Sequence, residues 1–283
     1  MKIFESLGFR IQYETWGNPV DHPVLFFHGF PGSHIQAKGL VPYLAEHKMF
    51  LIAYDRPGYG GSVGSGSRLQ SINAVHNLLA SLEIAKFDII GVSGGAPWAH
   101  LMASRFSESV RSMRIICGLS TYNNETAKYF SRVQKRGLAL SRRLPTWAAE
   151  KIVNFAFGRF DPEKRLDLIL KFLDPTDQEI FRTPQNRNIL IESMLQARSQ
   201  GARGIVRDTR LYQRDWLRED CDLGRLSSIP TYYCHGMKDR ILDHRITHWM
   251  HQANPNSKIK IFKEEGHYSL PFRQVDAILS EVY

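Results

Sequence analysis

Cysteine is scarce in this chain. There are three, Cys117, Cys221 and Cys234, an odd number at spacings that fit neither a disulfide framework nor a metal site. A reduced, cytoplasmic protein is the expectation, with no metal and no cofactor. Long hydrophobic runs are also missing: none approaches the roughly 20 residues of a membrane span. Met1-Lys2-Ile3-Phe4-Glu5-Ser6 lacks the apolar core of a secretory signal. A soluble chain with no membrane partner is therefore expected. Repeats, low-complexity tracts and blocks of a single charge sign are absent as well. The chain carries 37 Lys+Arg against 28 Asp+Glu, a net charge of +9, and 20 against 14 of these lie between Leu119 and Arg225. The basic residues alternate with acids and apolar positions. That favours a solvated basic face over a nucleic-acid-binding stripe, and no nucleic-acid partner is expected.

What is present is a hydrophobic fraction of 43% over 283 residues, enough for one large α/β domain with an insertion. Lys2–Glu5 and Arg10–Glu14, separated by Leu7-Gly8, read as a hairpin. Pro23–Phe27 and Phe50–Tyr54 are short continuous apolar runs, the pattern of strands buried on both faces. A helix is expected after the first of these runs, through Leu44. Ile72, Val75, Leu78, Leu79 and Leu82 mark an amphipathic helix, Phe87–Ile90 another strand, Ala96–Phe106 a helix and Met113–Cys117 a strand. At Leu119 the β-α rhythm stops. About 100 residues of helical character follow, punctuated by Pro145, Pro162, Pro175 and Pro184. Strand and helix alternate again from Ile229: Ile229–Cys234, a helix around Ile246, Trp249 and Met250, the strand Lys258–Phe262, and a last helix carrying Val275, Ile278, Leu279 and Val282. Such alternation implies a mostly parallel sheet with helices on both faces. The division expected is a core of residues 1–118 and 226–283 with a helical cap at 119–225.

Glycine-rich loops leave the predicted strands at chemically suggestive points. They are His28-Gly29-Phe30-Pro31-Gly32-Ser33, Asp55-Arg56-Pro57-Gly58-Tyr59-Gly60-Gly61-Ser62, Gly91-Val92-Ser93-Gly94-Gly95-Ala96-Pro97, His235-Gly236-Met237-Lys238-Asp239 and Glu264-Glu265-Gly266-His267. Ligands in parallel sheets sit outside the carboxyl ends of the strands, where these loops converge. Gly91–Gly95 fits G-x-S-x-G, a turn that lifts a serine above the sheet between strand and helix. The chain order serine, aspartate, histidine is the one associated with that turn.

With these five motifs in this order, the chain resembles the α/β-hydrolase fold family over essentially its whole length, least so in the helical cap. The resemblance implies a mostly parallel eight-stranded sheet with helices on both faces, and a helical cap inserted after the strand ending near Cys117. It makes Ser93 the expected nucleophile, His267 the base and Asp239 the acid that orients it. Asp243 and Asp222 are rival acids; His28, His235 and His244 are rival histidines, with His28 and His235 expected as partly buried supports. The oxyanion hole calls for backbone N–H groups of Phe30 and Gly94; Pro31 has no N–H to give. His28 and Gly29 belong to the supporting loop, and the Asp55–Ser62 loop either braces the site or merely connects.

Related families with haloalkane or epoxide chemistry carry Asp where Ser93 stands, and proline-iminopeptidase-like enzymes a Trp where Gly94 stands. The expected activity is a serine hydrolase, a carboxylesterase acting on a small or medium, largely apolar molecule. C–C bond hydrolysis and cofactor-free perhydrolysis use the same triad. For C–C bond hydrolysis of an acid, Arg203, Arg207 and Arg210 are the candidates, by charge, for a carboxylate partner. A small-molecule sensor of the same fold is the reading from another class. Tyr129, Phe130, Trp147, Phe155, Phe157, Phe160, Tyr212 and Trp216 are candidates for the pocket wall, Trp98 for the core. Monomer and homodimer stay equally open.

Overall fold

The structure, a computed structural model, describes residues 1–158 and 161–280, so Phe160 and Val282 lie outside the described residues, as does the side chain of Phe157. Eight strands form one sheet: β1 (Lys2–Ser6), β2 (Phe9–Trp16), β3 (His22–Phe27), β4 (Met49–Tyr54), β5 (Phe87–Val92), β6 (Val110–Ile116), β7 (Thr231–Gly236) and β8 (Ser257–Phe262). Their order is β1-β2-β4-β3-β5-β6-β7-β8. The β1–β2 hairpin runs antiparallel, as does the β2–β4 pairing, and every later pairing is parallel.

The continuous apolar runs have a simple cause. Successive side chains of a strand point to opposite faces, and both faces here are covered. Leu25 and Phe27 of β3 pack with Ile72, Leu78 and Trp98 on one side. Val24 and Phe26 pack with Ala37, Leu40 and Ile278 on the other. The helix Arg68–Ser81 starts with a reciprocal capping box between Ser67 and Gln70. The helix expected after β3 is there, as the 3-10 helix His34–Tyr43 with Pro42 inside it. One expectation needs correcting: the last helix is two short ones, Ser269–Arg273 and Val275–Leu279, broken at Gln274.

From β3 the chain passes to β4 on one side, then crosses back to β5 on the other. Loops leaving β3 and β5 therefore diverge, and the crevice between them is where such sheets take ligands. Between β6 and β7 lies a block of helices running from Arg132–Arg143 to Leu223–Ser227. Its prolines have local reasons: Pro162, Pro175 and Pro184 each open a helix, where the missing N–H costs nothing. Among the described residues no helix is long and apolar enough to cross a membrane.

The block is fixed to the core by buried charge. Asp208, on the block helix Arg203–Leu211, accepts Nε and Nη2 of Arg56 at 3.0 and 2.7 Å, Tyr59 Oη at 2.9 Å and Trp98 Nε1 at 3.2 Å. Both members of the ion pair are essentially solvent-free. Burial works to lower the Arg56 guanidinium, but the Asp208 charge outweighs it and holds it above its ordinary value. Burial, and then Asp208, push Tyr59 and Tyr212 well up, so both stay neutral donors. Asp208→Ala strands a buried guanidinium and is expected to cost about 3–5 kcal/mol of unfolding free energy. Urea denaturation measures this; a loss below about 1 kcal/mol would contradict the assignment.

Candidate active site

Ser93 stands at the end of β5 with φ of +51°, a left-handed conformation that a residue with a Cβ adopts only under constraint, at a cost on the order of 1–3 kcal/mol. Gly95 shows what enforces the turn: a Cβ there would meet the Phe27 carbonyl oxygen at 2.3 Å. The helix Ala96–Arg105 follows at once, with Pro97 in its first turn. Ser93 O accepts the N–H of Leu119 at 3.0 Å, tying the turn to the chain that leaves β6.

The structure brings the three expected residues into one hydrogen-bonded row. His267 Nε2 lies 3.1 Å from Ser93 Oγ, and His267 Nδ1 lies 2.7 Å from Asp239 Oδ2. The Asp239 side chain is solvent-free and that of His267 nearly so. Asp239 Oδ1 accepts the N–H groups of Ile241 and Leu242 at 2.7 and 2.8 Å. Its Oδ2 also meets His235 Nε2 at 2.9 Å, while His235 Nδ1 meets Thr247 Oγ1 at 2.6 Å. His235 is thus a support, as expected, but a fully and not a partly buried one, and it touches Asp239 directly. The rivals lie elsewhere. Asp243 pairs with Arg245, Asp222 accepts the N–H of Arg225, and His244 stacks edge-on toward His248.

Burial works to raise the Asp239 carboxyl, but the charge of His267 and hydrogen bonds from both histidines outweigh it and hold it far below the carboxylate range. Burial likewise works to lower His267. The Asp239 carboxylate and its hydrogen bond, with a further contribution from Asp177, win and raise the imidazole above its ordinary value.

Phe30 and Gly94 come together through the helical block. The Tyr212 hydroxyl donates to Gly94 O at 2.8 Å, and its ring meets that of Phe30 edge-on with centroids 5.1 Å apart. His28 is fully buried, its Nδ1 2.8 Å from Gly29 O. Gly29 N–H donates to Gln36 Oε1 at 2.7 Å. Arg56 donates to His28 O, and to Gly29 O at 3.2 Å. The Asp55–Ser62 loop therefore braces the His28–Ser33 loop and does more than connect.

Ser93 and His267 open onto a cavity of about 80 Å³ walled by Phe26, Phe181, Leu190, Tyr268 and Phe272, with Gln36 at its edge. Phe181, Ile189 and Leu190 are its contribution from the helical block. The described aromatic candidates for this wall sit elsewhere: Tyr129, Phe130, Tyr212 and Trp216 in or against the main core, and Trp147 and Phe155 at the surface. Trp98 is buried, as expected. The arginine candidates also face away. Arg207 bonds the Gly64 and Gly66 carbonyls, Arg210 bonds Thr146 and Leu144 O, and Arg203 is exposed.

Asp177, Asp208 and the block's part of the cavity wall, Phe181, Ile189 and Leu190, escape a reading of the sequence. Asp177 falls in the first turn of a helix capped by Asp174, a common place for a solvated acid. One grouping could hold a metal among the described residues: Cys117, Asp239 and His267, with one ligand atom each within 4.8 Å of one another. Burial pushes the Cys117 thiol well above its ordinary value, against a thiolate ligand, and Nδ1 of His267 is engaged by Asp239. The donor set suits a hydrogen-bonded pair better than an ion.

With this geometry in place, the comparison with other proteins is informative. Residues 22–274 match the alpha/beta hydrolase fold family, and the chain belongs to it. An uncharacterized protein of Mycobacterium tuberculosis is 25% identical over 284 residues, spanning 96% of this chain and 77% of its own. A probable proline iminopeptidase of Leptolyngbya boryana is 22% identical over 289 residues, spanning 91% and 84%. Among solved structures, an esterase from Exiguobacterium antarcticum superposes with a TM-score of 0.72 at 17% identity, over 98% of this chain and 96% of its own. At that identity the likeness is one of fold.

The Asp239–His267 pair generates a pH-dependent stability. The depressed Asp239 contributes above about pH 4, its unfolded value, and loses its contribution as pH falls toward the folded value. The raised His267 contributes fully below about pH 6.5 and loses its contribution as pH rises through the folded value. Asp239→Asn is therefore expected to lower the melting temperature most between about pH 4 and 6.5, with a narrowing gap on either side. Thermal melts from pH 3 to 9 measure it; a gap constant with pH would refute the linkage.

Proposed function

We propose that this protein is a serine hydrolase, a carboxylesterase for small, largely apolar esters. The observation that carries the reading is the row Asp239–His267–Ser93, with Ser93 Oγ facing an apolar cavity. A serine hydroxyl needs a base within hydrogen-bond reach to attack a carbonyl. In this reading His267 Nε2 takes the Ser93 proton as Oγ bonds to the ester carbon. The N–H groups of Phe30 and Gly94 receive the charge that develops on the carbonyl oxygen. The tetrahedral adduct collapses, the alkoxide leaves with the proton held on His267, and the acyl group remains on Ser93. Water, deprotonated by His267, then releases the acid and restores the serine. Asp239 stays ionised throughout, fixing the imidazole tautomer and offsetting the imidazolium charge.

The helical block serves as a cap in this reading, and the substrate class follows from its wall. One water occupies roughly 10–15 Å³ on this measure, so about 80 Å³ suits a short acyl chain. Among the described residues no lysine or arginine lines the cavity. This favours a neutral ester over an acid whose carboxylate needs a cation, and so speaks against the C–C bond reading.

Ser93→Ala is expected to reduce turnover of p-nitrophenyl acetate by about 10⁴-fold or more, as loss of a triad nucleophile does, and to abolish labelling by a fluorophosphonate probe. An unlabelled wild-type protein, inert to short and medium esters yet binding a small ligand, would sink the esterase and favour the sensor. Leu190→Ala, which opens the cap wall, is expected to shift preference toward longer acyl chains. Each added methylene that becomes buried is worth about 0.8 kcal/mol, or roughly 4-fold in kcat/KM. An unchanged chain-length profile would remove Leu190 from the acyl wall.

A further inference from the structure

The His267 loop is held by a residue of the helical block, 90 positions away in the chain. Asp177 lies on the short helix Pro175–Ile180 of the block and is solvent-free. Its Oδ2 accepts the N–H of His267 at 3.0 Å, and its Oδ1 accepts those of Tyr268 and Ser269 at 2.9 and 2.8 Å. The next N–H upstream, on Gly266, goes to Ser269 Oγ at 2.7 Å. Four consecutive backbone donors are thus satisfied by two side chains, and three of them by one carboxylate. The approach is close: a Cβ on Gly266 would meet Asp177 Oδ1 at 2.4 Å. Around the carboxylate, Phe181, the residue that follows this helix, packs edge-on against Tyr268, with centroids 5.1 Å apart.

We propose that Asp177 is a positioning residue for His267, so that seating the helical block on the core is what sets the base against Ser93. The inference rests on the role proposed above for His267. The chemistry of the donor set argues for it. A loop following a strand has several settings, and three N–H groups converging on one carboxylate select one of them. Only a carboxylate can do so, because it offers two acceptor oxygens and no donor, whereas an amide would turn its NH2 toward one of the N–H groups. Burying such an anion is costly unless it is fully hydrogen-bonded. Burial does raise the Asp177 carboxyl, and the backbone N–H groups oppose that rise. The same charge acts on the imidazole, since Asp177 is among the groups that favour protonated His267. Facing His267 are Asp239 from the β7 loop, Tyr268 from its own loop, Asp177 from the block, and Cys117 Sγ beyond β6; His235 is one hydrogen bond further.

The test is Asp177→Asn, assayed on p-nitrophenyl acetate beside wild type, Ser93→Ala and Asp208→Asn. For Asp177→Asn we expect kcat to fall about 10- to 100-fold, the scale of a misplacement near 1 Å, with KM within about twofold. The acid limb of kcat/KM should move to lower pH, because the base has lost an anion that favoured its proton. Asp208→Asn loosens the other buried anchor of the block; it should lower the melting temperature and leave the acid limb where it was. If Asp177→Asn keeps the wild-type kcat and acid limb, or if Asp208→Asn moves that limb equally, the inference is overturned. Should Ser93→Ala retain activity, the function proposed above fails instead. A second measurement needs no variant: amide hydrogen exchange in the wild-type chain. Protection of the His267, Tyr268 and Ser269 amides comparable to β5 supports the latch, and loop-like exchange refutes it.

Discussion

The arrangement of this molecule hangs on the buried ion pair of Arg56 and Asp208. Removing two charges from water is expensive, and their attraction compensates only when every remaining donor and acceptor finds a partner. Here the partners come from four different parts of the chain. Asp208 takes hydrogen bonds from Arg56, Tyr59 and Trp98, and Arg56 spends its other donors on the His28 and Gly29 carbonyls. The guanidinium is planar and carries its donors in a fixed fork. It therefore ties the His28–Ser33 loop to the helical block with a defined geometry. Trp98, on the helix behind Ser93, joins the same carboxylate, so the Ser93 turn, the loop after β3 and the block are referenced to one point. Neither partner can leave without stranding the other in a dry interior.

That constraint explains how a strained serine can persist. A left-handed residue at a functional position survives when its surroundings over-determine it. Ser93 has its carbonyl held by Leu119 and its hydroxyl facing His267, while the carbonyl of the next residue, Gly94, is held by Tyr212. Tyr212 and Asp208 lie one turn apart on the block, so the element that fixes Arg56 also fixes the residue after Ser93. Two of the anchors of the Ser93 turn and the helix after it are thus side chains that arrive from more than 100 residues further along the chain.

How much of this was legible in the sequence follows from the same physics. Strands β3 to β7 were readable because both their faces are covered, which leaves continuous apolar runs between glycine-rich loops. Ser93, Asp239 and His267 could be named because each occupies a loop directly after a strand, and parallel topology brings such loops to one edge. The block resisted. Its helical periodicity says which face turns inward and nothing about what that face meets. Asp208, between Arg207 and Thr209, and Asp177, three residues after a capping aspartate, look like solvated helix acids; their burial depends on donors that other segments supply. The cavity wall is hidden for a related reason: nothing in the sequence sets Phe181, Ile189 and Leu190 apart from the other apolar residues of the block. At His34–Tyr43 the helix was legible and its 3-10 type was not.

The block therefore combines two tasks that a movable cover would keep separate. The turn that carries Phe181 into the cavity wall begins with Asp177, which holds the His267 loop. The helix that carries Ile189 and Leu190 also presents Ser193, whose hydroxyl accepts the N–H of Ser33 in the loop after β3 at 3.0 Å. Residues that shape the cavity are thus one or two turns away from residues that hold the loops around Ser93. Tight packing transmits small displacements, so enlarging the cavity by moving either helix would also shift the backbone beside Phe30 or His267. Substitutions that only trim side chains at Phe181, Ile189 or Leu190 avoid that coupling. In this fold the room for a substrate can change readily through side-chain volume and only at a cost through backbone movement.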